Sequence, residues 1–325
     1  MDDRIWTYGE LGYKALREPR KAAYKARQWI ATPPAQVHSR LRTSDLPSQS
    51  DRLKALRQRE EYLVVVLDAC RFDVFASVAP EYFTFESLEP IRSAGRNTFE
   101  YIARCWPETH DDVTYISAAT PVNSDPRSAY DDEVLRRQYG TYVPSEHFGT
   151  VRDVWRESWD ESIGITPPEP VTDAALEADG RRIVAHYFQP HAPYIGRQSL
   201  LGHTNDADSR PNEGEPVDAP VWAQVRYGTI SRKKLRRVYV SNLRRALRAV
   251  RRLVAETSVK TVVVIGDHGE ALGEYGIYGH PDINHPHIRT VPWGIIEGVR
   301  RVPGKDAVGM TDTSVEERLE DLGYL

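Results

Sequence analysis

Cysteine and methionine are nearly missing from this 325-residue chain, which has two of each. Cys70 and Cys105 are too few for a disulfide framework, and the ordinary core sequence around them excludes a zinc knot. Long apolar runs are absent as well. None reaches the roughly 18 residues that a membrane span requires, and the start, MDDRIWTYGELGYKALREPR, lacks the apolar segment of a secretory signal. These absences lead to the expectation of a cytoplasmic protein, with peripheral contact to a membrane left open. An excess of one charge sign is missing too: charged residues make up 28%, but the formal net charge is -4, so nothing global points to nucleic acid. The length allows one large α/β domain or two modest ones, with a sizeable core. No internal repeat is present.

What is there divides at about residue 58. Residues 1–58 read as a charged helical extension in which Pro33, Pro34 and Pro47 interrupt two helix-like pieces. The first piece, over 8–30, carries Lys14, Arg17, Arg20, Lys21, Lys25 and Arg27. It is expected to be a solvated helix packed on its own domain; an anionic membrane surface and an oligomerisation contact are the alternatives. Residues 59–325 alternate apolar runs with amphipathic stretches, the pattern of βα units and a mostly parallel central sheet sandwiched by helices. Strands are predicted over 62–67, 113–118, 182–188, 261–265 and 291–296, and helices over 74–78, 99–106, 173–178 and 232–256. The last is the clearest, with Leu235, Tyr239, Leu243, Leu247, Val250 and Val254 on one stripe and arginines over the rest. Residues 197–220 are polar and read as a loop or lid. Ser314 and Glu317 make a capping box that opens a short C-terminal helix.

Chemistry concentrates where two unbroken apolar runs end. Val262, Val263, Val264 and Ile265 lead through Gly266 into Asp267, His268 and Glu270, among glycines that let the backbone approach a ligand. An isolated Asp-His pair in such a loop is more often a solvated cap than a site. Leu63 to Leu67 repeat the arrangement and end in Asp68. Adjacent parallel strands would bring the two carboxylates together, where they repel unless a cation or a shared proton neutralises them. With His268 beside them, a divalent cation is the simpler solution.

Thr98, in RSAGRNTFEYIARCW, falls near a helix N-terminus whose N–H groups favour an anion, and Gly95 permits close approach. Thr98 is the candidate nucleophile or else an ordinary N-cap, with Ser93 in reserve. Arg96 and Asn97 flank it as candidate contacts to a bound anion. In HYFQPHAPY, His191 lies just past a strand, where it could donate to a leaving group, while His186, inside the strand, reads as a core histidine. His280, His285 and His287 cluster farther on, with His280 the favoured member; the three together could also form a second metal site.

Taken together these segments resemble the alkaline phosphatase superfamily, in its sulfatase-like and lipoteichoic-acid-synthase-like branches. The resemblance runs from about residue 62 to the C-terminus. It rests on VVVLDACRFD with Asp68, Arg71 and Asp73, GRNT with Thr98, HYFQPHAPY with His191, IGDHGEALGEYGIYGH with Asp267, His268 and His280, and the closing RLEDLGYL. It implies that 59–325 is an alkaline-phosphatase-like catalytic domain. Asp68, Thr98, Asp267 and His268 would hold one divalent ion, zinc, manganese or calcium, and His191 and His280 would contact the transferred group. No C-x-P-x-R motif for a formylglycine nucleophile occurs, and Gln189 stands where relatives often have Asp, so phosphate is favoured over sulfate and one metal over two.

The resemblance thus implies a metal-dependent hydrolase or phosphotransferase acting through Thr98 on a small-molecule, glycan or lipid-linked phosphoester or sulfate ester. The alternatives are a non-catalytic relative that serves as a binding partner in glycan or envelope assembly, and a sulfatase with an unmodified nucleophile. A homo-oligomer is compatible with each.

Overall fold

Tyr62–Leu67 (β1) is buried along its whole length, and its side chains divide by parity. Leu63, Val65 and Leu67 join one apolar cluster while Tyr62, Val64 and Val66 join another, because successive side chains of a strand point to opposite faces. Such a strand needs cover on both sides. A parallel sheet between two helical layers supplies it.

The computed structural model describes residues 19–125, 142–201, 221–226 and 228–300. In chain order the remaining strands are β2 (Phe83–Arg92), β3 (His110–Ser117), β4 (Phe148–Asp153), β5 (Arg182–Tyr187), β6 (Val262–Gly266), β7 (Ala271–Leu272), β8 (Tyr278–Gly279) and β9 (Thr290–Val299). Seven of them form one sheet in the order β2-β9-β6-β1-β5-β3-β4, and β7 and β8 form a separate small hairpin. The five strands from β6 to β4 are parallel, and β9 runs antiparallel to both its neighbours. The expected architecture, a mostly parallel sheet sandwiched by helices, is the one observed.

The helices are α1 (Pro19–Thr43), α2 (Gln49–Leu56), α3 (Phe72–Val78), α4 (Thr98–Cys105), α5 (Val154–Glu157), α6 (Glu169–Leu176), α7 (Val221–Arg226), α8 (Arg232–Glu256) and α9 (Pro286–Arg289). Helix α8 has the predicted bounds. Ser231 caps it by accepting from the Lys234 N–H, and Leu235, Tyr239, Leu243, Leu247 and Val250 are fully buried in the β1 odd-residue layer. Helices α2 and α4 contribute Leu53, Leu56, Tyr101 and Ile102 to the opposite layer.

Two strands of the central sheet escaped the sequence pattern, as did the short β7–β8 hairpin. Strand β2 is half-buried over most of its length, with Glu86, Glu89 and Pro90 in it, and so lacks a continuous apolar run. Its position explains this: it lies at the sheet edge, where charge and proline are tolerated. Strand β4, also an edge, alternates too weakly to announce itself.

The extension departs from the two interrupted pieces expected. Helix α1 runs through Pro33 and Pro34 without a break. The prolines remove donors to the carbonyls of Trp29 and Ile30, which are 83% and 71% exposed, so water can satisfy the freed acceptors. The opposite face carries Ala35 and Ser39 into the body. Among the described residues no helix is long and apolar enough to cross a membrane. Residues 8–18 of the basic piece, most of the 197–220 loop and the capping box at Ser314 lie outside the described residues.

Candidate metal centre

Strands β1 and β6 are neighbours in parallel register, with Leu67 opposite Gly266, so Asp68 and Asp267 leave the sheet side by side. Both are buried, at 3% and 0% exposure. The local backbone is bent to hold them. Ala69 takes φ 57°, a left-handed conformation that costs a residue with a Cβ about 1 kcal/mol, and its N–H thereby reaches Asp267 Oδ1 at 3.0 Å. The His268 N–H donates to the same oxygen at 2.7 Å. Gly269 must be glycine, since a Cβ there would sit 1.9 Å from the His287 carbonyl oxygen.

Thr98 opens α4 and its hydroxyl donates to Asp267 Oδ2 at 2.9 Å. Asn97 is the cap, accepting from the Glu100 N–H at 2.9 Å, so the helix start aims Thr98 inward and leaves capping to its neighbour. A Cβ on Gly95 would come within 2.6 Å of the Tyr101 nitrogen, so this glycine lets its own loop close onto the helix. Ser93, the reserve nucleophile, donates to the backbone oxygens of Gly95 and Asp267 and acts as a strut. Arg96 pairs with Glu100 and with Asp282 at the helix start.

His268 Nδ1 lies 2.9 Å from the Gly269 carbonyl, which turns Nε2 toward the carboxylates, 3.4 Å from Asp68 Oδ1 and 3.4 Å from Asp267 Oδ2. A second imidazole arrives from inside the sheet. His186 Nδ1 lies 2.9 Å from the Tyr115 hydroxyl, and its Nε2 comes within 4.0 Å of Asp267 Oδ2. One ligand atom each from Asp68, His186 and Asp267 lies within 4.8 Å of the others. The sequence shows His186 only as a strand histidine; its register one residue short of the β5 end, beside β1, is the signal that would have found it.

The electrostatics of this corner are those of a site built around a cation. Burial and then the Asp68 charge push Asp267 up to about 7. Burial opposes the charge on Asp68 as well, but the His268 contact and the neighbouring imidazoles hold Asp68 well below the usual carboxylate range. Burial lowers His268, yet Asp267 and Asp68 outweigh it and raise the ring to about 10. Asp68 Oδ1 and His186 Nε2 are buried with no hydrogen-bond partner. Carboxylate oxygens, imidazole nitrogens and a hydroxyl, with two of these atoms unsatisfied, fit a divalent cation.

His191 and His280 meet at the edge of this corner, Nε2 to Nε2 at 3.0 Å. The His280 ring lies 4.4 Å from that of His268, centroid to centroid. Asn242 of α8 accepts from the Ile195 N–H and donates to the carbonyls of Pro190 and His191, fixing the loop after β5. Burial is the first cause that lowers both ring pKa values, which favours the uncharged rings.

No family model and no curated protein matches the chain. Among solved structures it is similar to the soluble domain of lipooligosaccharide phosphoethanolamine transferase A from Neisseria meningitidis, at 13% identity over 72% of this chain and 75% of that one, TM-score 0.42. It is similar to the C-terminal periplasmic domain of EcEptC from Escherichia coli in complex with Zn, at 10% identity over 78% and 75%, TM-score 0.40. A protein in the alkaline phosphatase superfamily from Vibrio parahaemolyticus is similar at 9% identity over 74% and 61%, TM-score 0.38. These similar structures thus include a member of the alkaline phosphatase superfamily, and what the chain itself shows is a mixed α/β architecture with a central sheet flanked by helices. At these identities the likeness is one of fold alone. The same comparison corrects the cytoplasmic expectation: the similar Escherichia coli and Campylobacter jejuni domains are periplasmic, and the cytoplasmic placement is withdrawn. The composition of the first residues, on which it rested, does not decide location.

His285 and His287 go elsewhere than His280. His285 caps α9 by accepting from the His287 N–H, and His287 Nδ1 lies 3.7 Å from Asp73 Oδ2. They flank Arg71, which is fully buried, pairs with Asp73 through two nitrogens at 2.9 and 2.5 Å, and reaches Glu274 at 2.9 Å. Arg236 meets Glu274 from α8 at 2.5 Å.

Proposed function

We propose that the chain is a metal-dependent enzyme that cleaves or transfers a phosphoester through Thr98, with Asp68, Thr98, Asp267 and His268 as metal ligands and His186 as a further donor. The observation that carries this reading is the Thr98 hydroxyl hydrogen-bonded to Asp267 at 2.9 Å inside a buried donor set with unpartnered atoms. A bound divalent cation would neutralise the two carboxylates and stabilise negative charge on the reacting oxygens.

The chain's own residues account for the rest. Asp267 Oδ2 accepts the Thr98 proton as the hydroxyl oxygen attacks phosphorus, the bond to the leaving alcohol breaks, and the transferred group stays on Thr98 as a phosphothreonine. The leaving oxygen accepts a hydrogen bond from the Nε2–H shared by His191 and His280, His191 Nδ1 being held on the Ala192 carbonyl at 2.6 Å, and takes its proton from water. Water or a second alcohol then attacks the same phosphorus and returns Thr98 to its hydroxyl form. Hydrolase and transferase share every one of these groups. Arg96 and Asn97 remain proposed anion contacts, acting through the α4 N-terminus that they shape. The substrate proposed is a small-molecule, glycan or lipid-linked phosphoester.

The test is a covalent trap. Metal-loaded protein quenched during turnover of an aryl phosphate should carry a phosphoryl group on Thr98 by peptide mass spectrometry. Thr98→Ala and Asp267→Asn should each lower turnover by at least about 10³-fold. Full activity in either variant sinks the assignment, and bound metal without any covalent intermediate or turnover supports the binding-partner alternative. Aryl sulfate run in parallel should turn over more slowly than aryl phosphate; the reverse order makes the protein a sulfatase.

A further inference from the structure

On the other side of the Ser93 strut lies a second cavity, about 400 Å³ in volume, between α1, α2 and the end of β2. Four arginines line it, one from each of four elements: Arg40 of α1, Arg92 of β2, Arg104 of α4 and Arg289 of α9. The rest of the lining is hydroxyl or amide apart from Ala94, and no carboxylate belongs to it.

The arginines are unequally engaged. Arg104 pairs with Glu100, which also holds Arg96. Arg289 donates to the Asn284 side chain and the Ser93 carbonyl, while its buried Nε has no partner. Burial, with the charges of Arg104, Arg96 and Arg92 nearby, pushes its guanidinium down to about 10. Arg40 and Arg92 form no ion pair among the described residues. Glu100 offsets part of this charge, but guanidinium groups that outnumber the carboxylates beside them repel one another, and folding tolerates this where an anion completes the set. Helix α2 adds to the same field. Its eight residues begin at the cavity, and Ser48 at its N-cap makes no side-chain hydrogen bond to the first turn, which carries Asp51.

We propose that this cavity binds a phosphate-class dianion, free or as the phosphomonoester end of a small polyol. The forked guanidinium donors match the tetrahedral oxyanion, and the hydroxyls of Ser39, Thr43 and Ser50 suit an attached polyol. The site is separate from the metal centre and independent of the reaction assigned to it. Ser93 is the one residue common to both walls, its hydroxyl toward Asp267 and its carbonyl on Arg289.

Calorimetric titration of the full chain tests this in chelator and again with metal. Inorganic phosphate and glycerol 3-phosphate serve as probes, since tighter binding of the first identifies a free ion and of the second an ester. Either should bind the chelated protein with Kd below about 10 mM. The Arg40→Gln/Arg92→Gln double variant should weaken binding by at least about tenfold. It removes no ion pair, so its melting midpoint should match the parent. Ser50→Asp, which places a carboxylate in the cavity, should weaken it to a similar degree. Asp68→Asn should leave it within about twofold. Unchanged affinity in the double variant, or no binding to the chelated parent, overturns the proposal whatever the outcome of the Thr98 trap.

Discussion

The stretch from Asp68 to Asp73, which leaves β1 and enters α3, serves two charge clusters that differ in one respect. Around Arg71, two carboxylates and a second arginine meet in close pairs, so each charge has its counter-charge. Around Asp68, three residues away, two carboxylates and the imidazoles of His186 and His268 crowd together and leave buried atoms unpartnered. Arg71 at the centre of the first and Asp267 at the centre of the second are both fully buried, so burial alone does not mark a site. The difference is satisfaction: a completed cluster fastens β1 to the β7–β8 hairpin and α8, and an incomplete one leaves donor atoms that fit a cation.

The largest effect should come from breaking the completed cluster. Arg71→Met leaves Asp73 and Glu274 without their shared partner in a buried place, and should destabilise the protein by about 3–5 kcal/mol in urea unfolding. If instead it melts like the parent, the cluster is not the fastening described here. Metal affinity in whatever fraction stays folded should change little by comparison, since no metal ligand touches Arg71.

A smaller effect should come from protons at the incomplete cluster. His268 is raised to about 10 and Asp267 to about 7 in the metal-free protein, so a cation must displace protons to bind. Affinity should therefore rise about tenfold per pH unit between pH 7 and 9 as His268 becomes easier to deprotonate. Zinc or manganese titrations in buffers of different ionisation enthalpy would count the protons released. A pH-independent affinity with no release would mean that His268 stays outside the shell.

How much of this could be read in advance follows from the same contrast. Asp68 and Asp267 were legible because each ends an unbroken apolar run, and β1 and β6 proved adjacent. Thr98 was legible from the helical spacing behind it, although the structure gives the capping role to Asn97. His186 was not, because a histidine inside a strand looks the same whether it packs or points at a carboxylate; only strand order and register distinguish them. Glu274 and Arg236 were invisible as partners of Arg71 for a similar reason, since they lie about 200 and 165 residues away along the chain and pairing across that distance leaves no local pattern. Edge strands β2 and β4 lacked the buried periodicity on which strand prediction rests.

The smallest effect sharpens the contrast most. In the metal-free protein the Asp267 carboxyl titrates near 7, against about 4 in the unfolded chain. The folded state then holds a proton that the unfolded state has lost, so stability falls as pH rises from about 4 to 7 and levels off above. Asp267→Asn keeps the acceptor for the Ala69 and His268 N–H groups and removes the charge. It should be more stable than the parent by about 1 kcal/mol at pH 8 and show no gain at pH 4, read from urea unfolding with chelator present. A variant less stable than the parent at both pH values would show that the Asp267 charge is fully compensated by His268 and that the corner needs no cation. The same substitution is expected to abolish chemistry, so a gain in stability would identify Asp267 as a residue held in an unfavourable state for what it binds.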